Sequence, residues 1–313
     1  VRGSDVINNP SQGLNINGVY FGRISNLDVT LTKVTLPLSE NKEYAIYLNN
    51  SRFISFDNIN IYNTNSNGMY LLSNKFIEIN GLKVANIDGN PLRVNSSNDI
   101  VVNASEIRNF GLKSTILNSD QIVINGTIFA SDVDTQAIEI TESHTNLLTN
   151  NFFNTYVRVI NSTQETIISD NEFENLVSTA NALYVNGQEK SIINGNIFNT
   201  LAINSILAND ADVTITNNYF TNTTNAVNLQ NSTKAVVSNN TVDASVNGVV
   251  IDATVTNSTV NSNTFEVTGN AISIASTGNY VSSNTVISGS LSIPYGNSQQ
   301  FLTTLEPYYS GLI

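Results

Sequence analysis

One pattern returns about every 22 residues along nearly the whole chain, and nothing else in the sequence constrains the fold as much. It is visible in SDNEFEN at 169–175, NGNIFNT at 194–200, TNNYFTN at 216–222, SNNTVDA at 238–244, NSNTFEV at 261–267 and SSNTVIS at 282–288. Each segment places a small or amide residue two positions before an apolar one. Alignment on that central position gives Asn26, Asn58, Gly81, Ser105, Gly126, Asn151, Asn171, Asn196, Asn218, Asn240, Asn263 and Asn284. After a first interval of 32 residues, which holds an insertion around SENKEY, the spacing runs from 20 to 25.

Within a unit no helical period survives, whereas alternation with period two recurs three times. In the unit beginning at Asp212, Val213 and Ile215 point inward, Asn218 turns the chain, Phe220 points inward, and Val227 and Leu229 make a third inward pair. Because like positions return once per unit, like strands must stack in parallel; a hairpin meander does not produce that. The expected fold is an all-β parallel helix of about twelve coils with three strands per coil over residues 1–293. Phe153, Phe173, Phe198, Phe220, Val242, Phe265 and Val286 form its core column. Residues 294–313 break the pattern and read as a cap, since an open end exposes unpaired strand and core. Phe301, Leu302, Leu305, Tyr308 and Tyr309 are the residues expected to cover it.

The central asparagines have two physical reasons to recur. Amides stacked at ~4.8 Å donate and accept between coils, and asparagine tolerates the left-handed backbone of a sharp turn. A second column follows the third strand at Asn49, Asn95, Asn118, Asn186 and Asn209. Both columns read as structural.

Composition excludes several function classes. The 25 acidic and 13 basic residues give a net charge of −12, which repels phosphate backbones, and no basic run offsets it; a nucleic-acid partner is not expected. There is no cysteine, hence no disulfide, thiolate zinc site or thiol nucleophile. No apolar run is long enough to span a bilayer. The opening VRGSD carries no leader pattern and reads as a processed chain or a fragment.

The repeats resemble those of right-handed parallel β-helix proteins of the pectin lyase-like superfamily, polysaccharide lyases, hydrolases and phage tailspikes among them, over about residues 14–293. The resemblance implies a substrate groove on a strand face and an extracellular setting, secreted, at a cell surface or on a virion. The paired-Asp, HG and RIK signatures of polygalacturonases and the Asp-rich calcium cluster of pectate lyases are absent, so it points to no particular reaction.

Alternation then separates the outer faces. The outward column of the third strand reads Tyr47, Tyr70, Arg93, Ile116, Glu139, Arg158, Tyr184, Leu207, Asn228, Val250, Ser273 and Ser292. Aromatic and charged residues crowd its first seven places, six intervals or ~29 Å. Tyr47, Tyr70, Arg93 and Tyr184 are the candidate substrate-binding residues, because tyrosine faces and arginine forks suit sugars that carry carboxylates. Glu139 with Asp134 or Asp132 supplies the two carboxylates that glycoside hydrolysis uses, and Arg158 would neutralise a uronate in a lyase or epimerase. His144, the only histidine, follows the same strand and is a candidate proton carrier. The pairs Asp210/Asp212 and Glu172/Glu174 read as solvated charges. No cofactor is expected, nor a metal, because one histidine and scattered carboxylates offer no ligand spacing. On the second strand, Thr127, Phe129, Phe152, Ile197 and Tyr219 read as an outward apolar strip, a surface on which a homotrimer would pack.

Two functions from different classes follow. One is a β-helix that binds and depolymerises an acidic polysaccharide. The other is a non-catalytic stalk or adhesin whose repeats supply length; a scaffold that holds partner proteins on the apolar strip is a third.

Overall fold

The computed structural model describes residues 5–7, 13–30, 44–64, 67–132, 136–162, 164–174, 181–300 and 303–304. Every helical or strand element among them is a β-strand, and the strands pair in parallel between successive coils. Asn98–Asn103, for instance, lies between Lys75–Asn80 of the coil below and Asp120–Asn125 of the coil above. Three parallel sheets result. The first contains these strands, the second contains Lys83–Ile87, Glu106–Phe110 and Ile128–Ala130, and the third contains Leu92–Asn95, Ser114–Leu117 and Gln136–Thr141. The architecture is the expected all-β parallel helix, with about ten turns instead of the twelve aligned units. Toward the upper end, Thr264–Ile274 pairs with Thr285–Ser292 through several register shifts.

Inside, apolar side chains of successive coils stack. Phe129, Phe153, Phe173, Phe198 and Phe220 form one column with ring centroids 5.2, 5.0, 4.5 and 5.0 Å apart, continued by Val242, Phe265 and Val286, all buried. Phe153, Phe173 and Phe198 therefore each meet two other rings, and each coil is stabilised chiefly by its two neighbours.

The two tasks assigned to the central asparagine fall on adjacent residues. The left-handed turn belongs to Gly126, Asn150, Asp170, Gly195, Asn217 and Asn239, with φ of 61, 53, 55, 69, 56 and 55°. The next residue points inward and carries the ladder. Asn151, Asn171, Asn196, Asn218, Asn240, Asn263 and Asn284 are buried, and the Oδ1 of each from Asn171 on accepts the backbone N–H of the ladder asparagine one coil below at 2.9 Å. Their Nδ2 groups donate to core-side carbonyls such as that of Ile193. Below Asn151 the same inward position is held by Leu82, Ser105 and Thr127. Asn26, Asn58, Gly81 and Gly126 are thus turn residues, and Ser105 and the seven buried asparagines are ladder residues.

That one-residue offset corrects three expectations. Phe129 and Thr127 are buried, not outward. The outward positions are Ile128 and Phe152, and the column continues through the exposed Glu172 to Ile197 and Tyr219, so the apolar strip is interrupted by a charge. On the third sheet Ile116 is buried and Thr115 takes the outward place between Arg93 and Glu139. Beyond Ile293 the ladder continues: Ser298–Gln300 pairs with Tyr280–Ser282, and Thr303–Thr304 pairs with Thr285–Val286. Phe301, Leu302, Leu305, Tyr308 and Tyr309 lie outside the described residues.

Candidate functional site

The outward column of the third sheet follows from strand register. Asn15, Tyr47, Tyr70, Arg93, Thr115, Glu139, Arg158, Tyr184 and Leu207 occupy one line of paired positions. Tyr47, Tyr70, Arg93, Glu139, Arg158 and Tyr184 are therefore brought onto one face, with Thr115 as the neutral step in the middle.

Its lower half is an aromatic cluster. Tyr70 lies 4.8 Å from Tyr44 and 5.4 Å from Tyr47 between ring centroids, and the Arg93 guanidinium sits 5.0 Å above its ring. Arg93 also donates to the Tyr44 hydroxyl at 3.3 Å, and Asn95 donates to that of Tyr70 at 3.5 Å. Tyr70 is thereby only 5 % exposed, so it supports the face from beneath, while Tyr47 and Arg93 stay half-exposed. Burial, and then the neighbouring Tyr70, push the Tyr47 hydroxyl above the ordinary phenol range, so it remains a donor at neutral pH.

The upper half is an ion network. Glu139 accepts from Lys113 Nζ at 2.5 Å on one oxygen and faces an Arg158 nitrogen at 3.5 Å on the other. Arg158 lies 5.2 Å from the centre of the Tyr184 ring, which repeats one half-face away the arginine-over-tyrosine arrangement of Arg93 and Tyr70. A guanidinium over a ring still directs its N–H groups outward in its own plane, the geometry in which arginine recognises carboxylates. Lys113 and Tyr44 escaped the sequence reading: Lys113 stands at the corner just before the strand, outside its alternation, and Tyr44 reads as an ordinary core residue.

The remaining candidates lie elsewhere. Asp132 is exposed at the corner between second and third sheets, where it lines a cleft of about 340 Å³ with Asp88, Asn109 and Phe110. No hydrogen bond or ion pair joins it to Glu139 among the described residues. Asp134 lies outside the described residues. His144 begins the first-sheet strand His144–Thr149, paired with Asp120, so a corner separates it from Glu139. Among the described residues no group of three or more metal-ligating side chains occurs, and no helix is long and apolar enough to cross a membrane.

Comparison with known proteins agrees with this geometry at the level of fold. A family model described as the right handed beta helix region matches residues 155–301. No curated protein sequence matches the chain. The A-module of the Azotobacter vinelandii mannuronan C-5 epimerase AlgE6 superposes with a TM-score of 0.51 at 12% identity, covering 95% of this chain and 91% of that one. The periplasmic alginate epimerase AlgG gives 0.52 at 11% identity, with 95% and 79% covered.

Proposed function

We propose, from the premise that this chain is a right-handed parallel β-helix like those of the pectin lyase-like superfamily, that its third sheet binds an acidic polysaccharide outside the cell. The observation that carries the reading is the pairing of cation and ring at two places on one register line, Arg93 with Tyr70 and Arg158 with Tyr184. The two arginines are three register steps apart, ~14 Å along the stack. A chain of uronate sugars offers alternating carboxylates and apolar ring faces, which is what this spacing of forks and tyrosines accommodates. The two epimerases named above act, by their names, on mannuronan and alginate, polymers of that class.

Glu139 faces Lys113 on one oxygen and Arg158 on the other, so in this reading it holds the two cations in place on the face. Cleavage is a second reading, favoured by one observation: Asp88 and Asp132 line the same cleft. The test is isothermal titration with polyuronate chains, in which Arg93→Ala and Arg158→Ala each weaken binding by roughly tenfold. Unchanged affinity in both variants would place the site elsewhere. New reducing ends or unsaturated uronate absorbance after incubation would establish cleavage, and no binding at all would leave the stalk.

A further inference from the structure

Phe21, Phe53 and Phe76 stand at the start of the first sheet on three successive coils and are 74, 42 and 42 % exposed. Their rings stack, with centroids 4.8 and 4.7 Å apart and interplanar angles of 8 and 12°. All three have left-handed backbone, φ 59, 57 and 57°, a conformation unfavourable for a bulky side chain. The same column continues upward through Asp99, Gln121 and Thr145, also at positive φ, so the fold imposes the turn but not the aromatic residue. Phenylalanine here bears the backbone strain without the compensation of full burial, and such outliers concentrate at binding sites.

Because the rings cover one another's faces, the ladder presents ring edges to solvent, and a ring edge carries positive potential. Cations reinforce it. Lys75 Nζ lies 4.9 Å from the centre of Phe76, with Asp99 3.9 Å away, and Arg52 lies 5.6 Å from the centre of Tyr20. In a chain of net charge −12, this apolar corner sets two cations, Arg52 and Lys75, beside the one carboxylate of Asp99, which favours an anionic partner with apolar faces. It also adjoins the third sheet: only Asn50 and Ser51 separate the strand bearing Tyr47 from that bearing Phe53, and only Ser73 and Asn74 separate those of Tyr70 and Phe76.

We infer that the stacked Phe21–Phe53–Phe76 ladder, with Arg52 and Lys75, is a second subsite for an acidic polysaccharide, where the chain bends round the corner from the third sheet. The inference rests on the reading of that sheet, and the experiment separates the two. Polyuronate chains are titrated into wild type, a ladder variant carrying Phe53→Asn and Phe76→Asn, and a face variant carrying Arg93→Ala and Arg158→Ala. Asparagine suits the left-handed positions, so the ladder variant keeps its melting temperature within about 2 °C while its affinity falls about fivefold or more. If only the face variant loses affinity, the ladder is not a subsite and the third-sheet reading stands; if only the ladder variant does, the ladder stands and the third-sheet reading falls. A ladder variant that melts lower but binds normally shows a structural stack, and one that merely stops self-associating in sedimentation shows a contact between copies; either result overturns the inference. Absence of polyuronate binding by wild type overturns both.

Discussion

Replacing Asn218 with glycine removes a side chain with buried contacts in three coils. Its Oδ1 accepts the Asn196 backbone N–H and the Asn196 Nδ2, each at 2.9 Å, and its Nδ2 donates to the carbonyls of Ile193 and Thr216 and to Asn240 Oδ1 at 2.9 to 3.0 Å. The Asn196 N–H is left without an acceptor in a dry interior, which costs about 1–3 kcal/mol. The lost amide contacts and the space left behind bring the total to roughly 3–5 kcal/mol. Asn217, one residue earlier, is exposed, turns the chain with φ of 56°, and its side-chain amide donates to Asn194 Oδ1 at 2.8 Å. Glycine takes that backbone freely, so Asn217→Gly costs about 1 kcal/mol or less. Urea unfolding followed by far-ultraviolet circular dichroism separates the two as a large and a small drop in midpoint. Equal drops would refute the assignment of turn and ladder to different residues.

Phe198→Ala leaves a gap between Phe173 and Phe220, and the urea transition should report a loss of about 3–5 kcal/mol. Asp57 accepts from Asn80, Ser55 and Arg23; burial alone would raise its pKa, but these contacts outweigh burial and hold the carboxyl below its ordinary value. A carboxyl depressed in the folded state stabilises above its unfolded pKa of about 3.9, and that contribution is lost as pH falls through the folded value. The stability difference between wild type and Asp57→Asn should therefore be constant from neutral pH down to about 5 and shrink below about 4, as thermal melts across pH will show. Glu172 interrupts the second-sheet strip, so sedimentation should find a monomer, with Glu172→Leu promoting association.

The period, three strands per coil and phenylalanine core were legible in the sequence because they depend on alternation within single strands. What alternation cannot carry is phase across a left-handed residue. Asn150 and Asn217 are exposed and turn the chain, and the very next residue, Asn151 or Asn218, points inward. Where the alignment took a turn residue as its centre, at Gly126, the strand after it was read one place out and Phe129 was put on the surface. The Ile116 slip has the same effect, on a coil whose outward residue, Thr115, looks unremarkable beside an isoleucine. Phe21, Phe53 and Phe76 were invisible for a related reason: in sequence a phenylalanine beside Ile54 or Ile77 reads as core, and only its backbone shows that it points out. Of the candidate site, Tyr47, Arg93, Glu139, Arg158 and Tyr184 were legible as one outward line because they occupy true strand positions. Lys113 was missed because it reaches Glu139 from a corner.

A crystal structure with a bound uronate oligosaccharide would show where a sugar lies on this β-helix. Density is expected along the third sheet, with a sugar carboxylate on Arg93 or Arg158 and a ring against Tyr47 or Tyr184. Density confined to another face, with this line of residues bare, would contradict that placement.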